Sequence, residues 1–235
     1  MKTMLIVFSL LFGIASVASE YPKVDAELAA YDQTVATMKS DFNSTPANPL
    51  DKGWVAQKLA FLFKIDQYMR SVWSAPYNNQ YTEAETKFFF EQFDSRSRAI
   101  DMGNTQDLKE LLKVYQWFKV SEFGETADSQ AWIIVQHADL DPDFQKQVLS
   151  ILETLYPSKE TLPKNYAYLF DRVAASWFDL SKRTLQRYGT QGQCVGPGKW
   201  EPIPMEDPEH VDERRVAMGM STMTDYMELF KNICH

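Results

Sequence analysis

Along most of this chain the apolar residues return every three or four positions, and the runs are closed by proline, glycine or a capping side chain. That spacing gathers them on one face of an α-helix, whereas a half-buried strand needs alternation by two. Val24 to Phe42 is the first such run after the N-terminal segment, and the loop Asn43 to Leu50, with Pro46 and Pro49, stops it. Asp51 is placed to cap a second helix reaching about Ser74, before Pro76. Thr82 and Glu85 have capping-box spacing and open a third helix through about Asp101. Gly103-Asn104 reads as a tight turn, with Asn104 capping a helix from Gln106 to about Phe118. Gly124 to about Asp139, Asp141-Pro142 to just before Pro157, and Pro163 to Lys182 continue the series.

The texture then changes. Thr184 to Pro204 holds four glycines and three prolines, with short β-prone pieces at Gln186-Arg187-Tyr188 and Lys199 to Ile203. It reads as an irregular loop or a small β-hairpin. Asp207-Pro208 is placed to cap a helix ending at Gly219, and Ser221 or Thr222 to cap a last one to about Ile233. The expected fold is all-α: a single-domain helical bundle of about nine helices over residues 20–235, with the irregular segment near 184–204.

The N-terminus has a different organisation: Lys2, an apolar run from Met4 to Ala15, then Ser16-Val17-Ala18-Ser19 before Glu20. One positive charge, a short apolar stretch and small residues match a secretory signal peptide over 1–19, so export to a periplasmic or extracellular location is expected. The run is shorter than the roughly 20 residues a transmembrane helix needs. Lys and Arg number 24 against 32 Asp and Glu, a formal charge of −8, and loss of Lys2 with the leader makes it −9. Nucleic acids and anionic membranes are recognised by basic patches, so neither is an expected partner. The oligomeric state is left open. Cys194 and Cys234 are the two cysteines, and in an oxidising compartment they read as one disulfide worth about 3–4 kcal/mol, with two free thiols as the alternative.

In an all-α chain, the informative residues are polar ones on faces that should be apolar. In the second expected helix Leu59, Leu62, Phe63, Met69, Val72 and Trp73 form the buried stripe, and Asp66 and Arg70 fall on it four residues apart, where they can pair. Such burial costs several kcal/mol per ion unless geometry is good. Either the pair joins helices or it forms the charged wall of a pocket. Asp171-Arg172 repeats the pattern at the edge of the stripe Tyr166, Leu169, Phe170, Val173, Trp177. The apolar run Ala131 to Val135 ends in Gln136-His137-Ala138-Asp139, so Gln136 and His137 leave it at the edge of a core, where polar groups need partners. Gln186-x-Tyr188-Gly189-Thr190-Gln191-Gly192 offers glycines that let backbone amides approach a ligand, or else a hairpin corner.

Taken together, Asp66-Gln67-x-x-Arg70, Gln136-His137-Ala138-Asp139, Asp171-Arg172 and Tyr188-Gly189-Thr190-Gln191 resemble the elements of a bacterial family catalogued as a domain of unknown function. The resemblance spans roughly residues 55 to 230, and this chain is longer than the pattern between Phe178 and Thr184. It carries no activity to import. It implies that the four elements belong together.

Two functional classes fit. In the first, an enzyme performs hydrolysis or group transfer on a small polar or anionic molecule. His137 is then the acid/base, since an unperturbed imidazole titrates near pH 6.5. Asp139 or Asp171 orients it, Arg70 and Arg172 clamp an anionic or carbonyl-bearing substrate, and Gln136, Tyr188 and Gln191 supply directional hydrogen bonds, with Asp66, Gln67, Gln186 and Thr190 completing the substrate-binding set. In the second, the same groups form a buried network that only specifies helix packing or non-catalytic binding. No cofactor is expected. A metal on His137 with Asp139, Asp66 or Asp171 would have a single imidazole, and no metal ligands are assigned.

Overall fold

The structure, a computed structural model, describes residues 20–234; the expected leader lies outside the described residues. Nine α-helices and one hairpin follow in chain order: α1 (Pro22–Asn43), α2 (Lys52–Val72), α3 (Ala75–Asn78), α4 (Glu83–Leu112), α5 (Val120–Gln136), α6 (Pro142–Leu155), α7 (Pro163–Ala175), β1 (Gly192–Gly196), β2 (Lys199–Pro202), α8 (Val211–Ala217) and α9 (Met223–Glu228). No described helix is long and apolar enough to cross a membrane.

The caps act as their chemistry requires. Asp51 accepts from the Trp54 amide, Thr82 and Glu85 close a full capping box, and Asp141 accepts from the Phe144 amide with Pro142 in the first turn of α6. Each satisfies amides that the first turn of a helix leaves without an internal partner.

Several boundaries differ from expectation; the last helix, for one, ends at Glu228 and not near Ile233. Gly103-Asn104 is not a turn, because α4 runs through it as one 30-residue helix. Asn104 gives its side-chain N–H to the Leu62 carbonyl of α2 at 3.2 Å, a bond between helices rather than a local cap. The break falls instead at Gly124, whose φ of 79° kinks α5 near its start. The helix expected to reach Lys182 stops at Ala175, where Ser176 takes a left-handed conformation, and the chain continues as a loop with one 3₁₀ turn at Leu180–Lys182. Asp207 does not cap α8: it is left-handed, makes no capping bond, and pairs with His210 ahead of the helix.

Two apolar cores meet along α2 and α4. Val55, Leu59 and Leu62 of α2 and Leu108 and Leu111 of α4 pack with α5, α6 and α7; Ile65, Met69 and Val72 of α2 and Phe89, Phe93 and Ile100 of α4 pack with α1. A third, small cluster of Trp200, Val211, Met223 and Tyr226 joins the hairpin to α8 and α9. The two strands pair antiparallel with Cys194 opposite Trp200, and the Cys194–Cys234 disulfide ties β1 to the C-terminal end.

A buried carboxylate not singled out above secures the large core. Asp128 of α5 accepts from Trp117 Nε1 and Thr161 Oγ1, each at 2.7 Å, from the Leu162 amide at 2.9 Å and from Asn165 Nδ2 at 2.8 Å. Burial pushes its carboxyl up, and these four donors oppose that shift. Replacing it with Ala leaves the donors facing an apolar hole. Asp128→Ala is expected to lose about 3–5 kcal/mol in guanidinium unfolding, with Asp128→Asn losing less; an unchanged midpoint for the Ala variant would contradict this account.

Candidate functional site

The seam between the two cores carries the polar residues. Asp66 follows Ile65 on α2 at the point where that helix passes from one core to the other, and it is 1% exposed. His137, the residue that ends α5, brings Nδ1 to 2.8 Å from Asp66 Oδ1. Two lone pairs at that distance would repel, so the proton belongs on Nδ1 and is donated to the carboxylate. Gln67 Nε2 donates to the other oxygen at 2.8 Å. Arg70 Nε–H donates to Asp66 Oδ1 at 3.3 Å and stands 2.9 Å from His137 Nδ1, so carboxylate and guanidinium both meet that ring nitrogen. Arg70 Nη2 donates to Asp101 Oδ1 of α4 at 2.7 Å.

These contacts set the protonation states. Burial alone would raise the Asp66 carboxyl, but the His137 hydrogen bond, Arg70 and Gln67 outweigh it and hold it below the ordinary carboxylate range. Burial lowers the His137 imidazole, against the pull of Asp66. His137 is therefore neutral near pH 7, with Nδ1 committed to Asp66 and Nε2 without a partner among the described residues. Its side chain is 17% exposed. Burial pushes Asp101 up to about 7, with Asp66 and Asp139 adding to the shift and Arg70 and Arg172 opposing it.

A second cluster adjoins the first. Asp139 Oδ1 accepts from Arg172 Nε of α7 at 2.9 Å and from Gln145 Nε2 of α6 at 3.2 Å, while its other oxygen pairs with Arg172 Nη2. Arg172 Nη1 and Trp177 Nε1 both donate to Gln191 Oε1, each at 3.1 Å.

Asp171 points elsewhere. Fully buried, it accepts from the amides of Arg187 (2.7 Å), Tyr188 (3.1 Å) and Thr190 (2.8 Å), so it shapes the loop after α7 and does not orient His137. Gly189 makes this convergence possible: its φ is 70°, and a Cβ there would meet Met223 Sδ at 2.6 Å. Gln186 braces the same loop by donating to the carbonyls of Gln191 and Ile203 and accepting from the Gln191 amide. Tyr188, Thr190 and Gln191 are consequently buried supports, not a rim open to a ligand. Gln136 is also buried, and its side-chain oxygen has no partner among the described residues.

Three cavities open around the segment His137–Leu140. One of about 180 Å³ lies between α4 and that segment, lined by Asp101, His137 and Lys109 among others. Another, of about 190 Å³, shares Asp101 and His137 and adds Arg70, Trp73, Leu140 and Phe178. A third, of about 290 Å³, is walled by Asp139, Arg172 and the loop from Ser176 to Thr184. The wall expected from residues 188–191 is thus supplied by the loop just after α7. Among the described residues no three His, Cys, Asp or Glu converge to hold a metal ion.

A protein-family model matches residues 56–234, and its description is a family of unknown function, DUF6624. This chain belongs to that family. No curated protein and no solved structure matches it. The DUF6624 match takes in both clusters and all three cavities, and leaves α1 outside.

Asp101 is the principal site residue that sequence reasoning passed over. Placing a turn at Gly103 hid it; on a helix continued through that glycine it falls between Ser97 and Thr105, both buried. Its raised pKa has a measurable consequence. A carboxyl that titrates near 4 unfolded and near 7 folded favours the folded state at low pH and loses that contribution as pH rises from about 4 to 7. His137 acts oppositely below its unfolded value, so the comparison must be made by difference. The stability of wild type minus that of Asp101→Asn is expected to fall between pH 4 and 7 and level above; a flat difference in urea unfolding would show that Asp101 titrates normally.

Proposed function

We propose that this exported DUF6624 protein is a hydrolase or group-transfer enzyme in which His137 is the general base for a small polar substrate. One observation carries the reading: the imidazole is held through Nδ1 by a buried, ionised Asp66, and Nε2, unpaired among the described residues, belongs to a residue that lines two cavities. A carboxylate that fixes the tautomer and orientation of a histidine is the arrangement by which imidazole bases are prepared for proton transfer.

Asp101 lines the same two cavities and titrates near 7, which suits it to the complementary acid role. In the proposed step Nε2 removes a proton from water or a substrate hydroxyl. The oxygen so activated adds to an electrophilic carbon or phosphorus, and Asp101 protonates the departing group. The proton held on His137 then returns to Asp101 through solvent, restoring both groups. Arg70 and Arg172 act as positioning residues through Asp66, Asp101 and Asp139. A second reading, in which the polar groups only join helices, draws on Asp171, whose carboxylate is spent wholly on loop amides.

Export is part of the proposal, supported by the leader-like N-terminus and by a disulfide suited to an oxidising compartment. Intact mass of the exported chain should correspond to cleavage before Ser19 or Glu20.

The catalytic reading is tested by screening the purified protein against panels of esters, amides and phosphoesters beside His137→Gln. Turnover found in the wild type should drop by about 10²–10⁴-fold in the variant, the usual contribution of a general base. The acid limb of kcat/KM should lie below pH 6.5, because burial lowers the imidazole, and activity should decline above about pH 7 as Asp101 ionises. Equal turnover by wild type and His137→Gln would leave the packing role alone.

A further inference from the structure

The charges around the three cavities are already matched. Six cationic side chains line them: Arg70, Arg98, Lys109, Lys146, Arg172 and Lys182. Each has a carboxylate partner in the lining, Asp101, Asp94, Asp141, Asp143, Asp139 and Asp179 respectively. Asp66, behind them, is bound to His137, Arg70 and Gln67. An anion entering here finds no unpaired guanidinium or ammonium, and a cation finds no unpaired carboxylate. At the part-buried pairs of Arg70, Lys109 and Arg172 either must displace an internal partner and leave a partly buried charge uncompensated, which is costly, whereas the exposed pairs of Arg98, Lys146 and Lys182 contribute little.

Three of the exposed large apolar side chains meet at the same place. Trp73 is 41% exposed, Leu140 41% and Phe178 63%, and all three line the cavity of about 190 Å³ that His137 and Asp101 also line. An apolar cavity of about 150 Å³ is known to hold a benzene ring, so this space suits a single ring with one small substituent. The rest of the lining is polar and charged, so the apolar contact to a ligand comes from these three side chains.

We propose that the His137 site selects an uncharged ligand made of one apolar ring and one carbonyl or amide, the ring against Trp73 and Phe178 and the polar group toward His137 and Asp101. The inference rests on the reading that His137 faces a ligand and narrows that ligand from the polar or anionic class to the uncharged one. It assigns Trp73 and Phe178 to ring recognition, a role their sequence positions do not suggest.

Three probes matched in size and differing in charge test it: benzamide, benzoate and benzylamine, titrated into the full chain and followed by intrinsic fluorescence and by NMR of the His137 ring. Benzamide is expected to bind saturably, shift the imidazole resonances, and bind at least about tenfold more tightly than either charged probe. Trp73→Ala and Phe178→Ala should each weaken benzamide by about fivefold or more. Both side chains are exposed, and matching unfolding midpoints would confirm that the variants fold. The proposal is overturned if benzoate or benzylamine binds as well as benzamide, if no probe saturates by about 10 mM, or if both variants bind benzamide unchanged. Charge preference is read from binding and the role of His137 from turnover, so a charged-probe preference with an inactive His137→Gln removes this inference and spares the acid–base reading. The opposite pair of results does the reverse.

Discussion

The site is organised around one ionised carboxylate held away from water. Asp66 sits where α2 passes between two apolar cores, and a bare charge there would cost several kcal/mol. The structure meets it with three donors from two directions: His137 at the end of α5, and Gln67 and Arg70 on α2 itself. Each partner is constrained by serving it. Arg70 is held so that its outer nitrogen reaches Asp101 on α4, and the imidazole is held with one nitrogen inward and the other unpaired among the described residues. Removing the carboxylate would therefore disturb three helices and release the histidine.

The second cluster works by a different principle. Arg172 is clamped between Asp139 and Gln191, and Gln191 is fixed because Asp171 and Gln186 have organised the loop that carries it. Arg215 completes this support from the opposite side. Fully buried and stacked 4.6 Å from the Tyr226 ring centroid, it donates to the Tyr188 carbonyl while Asp171 receives the Tyr188 amide. An irregular segment is thereby made as well supported as a helix, because both its donors and its acceptors are met by buried charged side chains. Phe178 in the cavity wall lies open to solvent, between a Trp177 bonded to Gln191 and a half-buried Asp179 whose carbonyl accepts from Ser176.

Local chemistry made much of this legible beforehand. The caps at Asp51, Thr82 and Asp141, the all-α class, the hairpin and the paired cysteines follow from short-range rules that tertiary packing did not override. Asp66, Arg70 and His137 stood out as polar groups where apolar ones belonged, and the structure joins them. Asp139 and Arg172 were also found, although they meet each other and not His137. The misassignments share one cause. Asp171, Tyr188 and Thr190 have the same side chains whether they face a ligand or a backbone amide, and Gly103 has the same weak helix preference whether or not a helix continues through it. Asp101 was lost with that glycine.

Sequence by itself determined that the chain makes amphipathic helices with defined starts, that one loop is irregular, and that charged residues lie on buried faces. Those are properties of residues a few positions apart, where capping, periodicity and glycine content act directly. Tertiary structure alone decided which charges meet across helices, that α4 runs unbroken so that Asn104 and Asp101 turn toward α2, and that His137 presents one nitrogen to Asp66 and leaves the other unpaired among the described residues. The partners lie 31 to 71 positions apart in the chain. Pairings over such distances follow from how whole helices bury their apolar faces, and no local pattern encodes them.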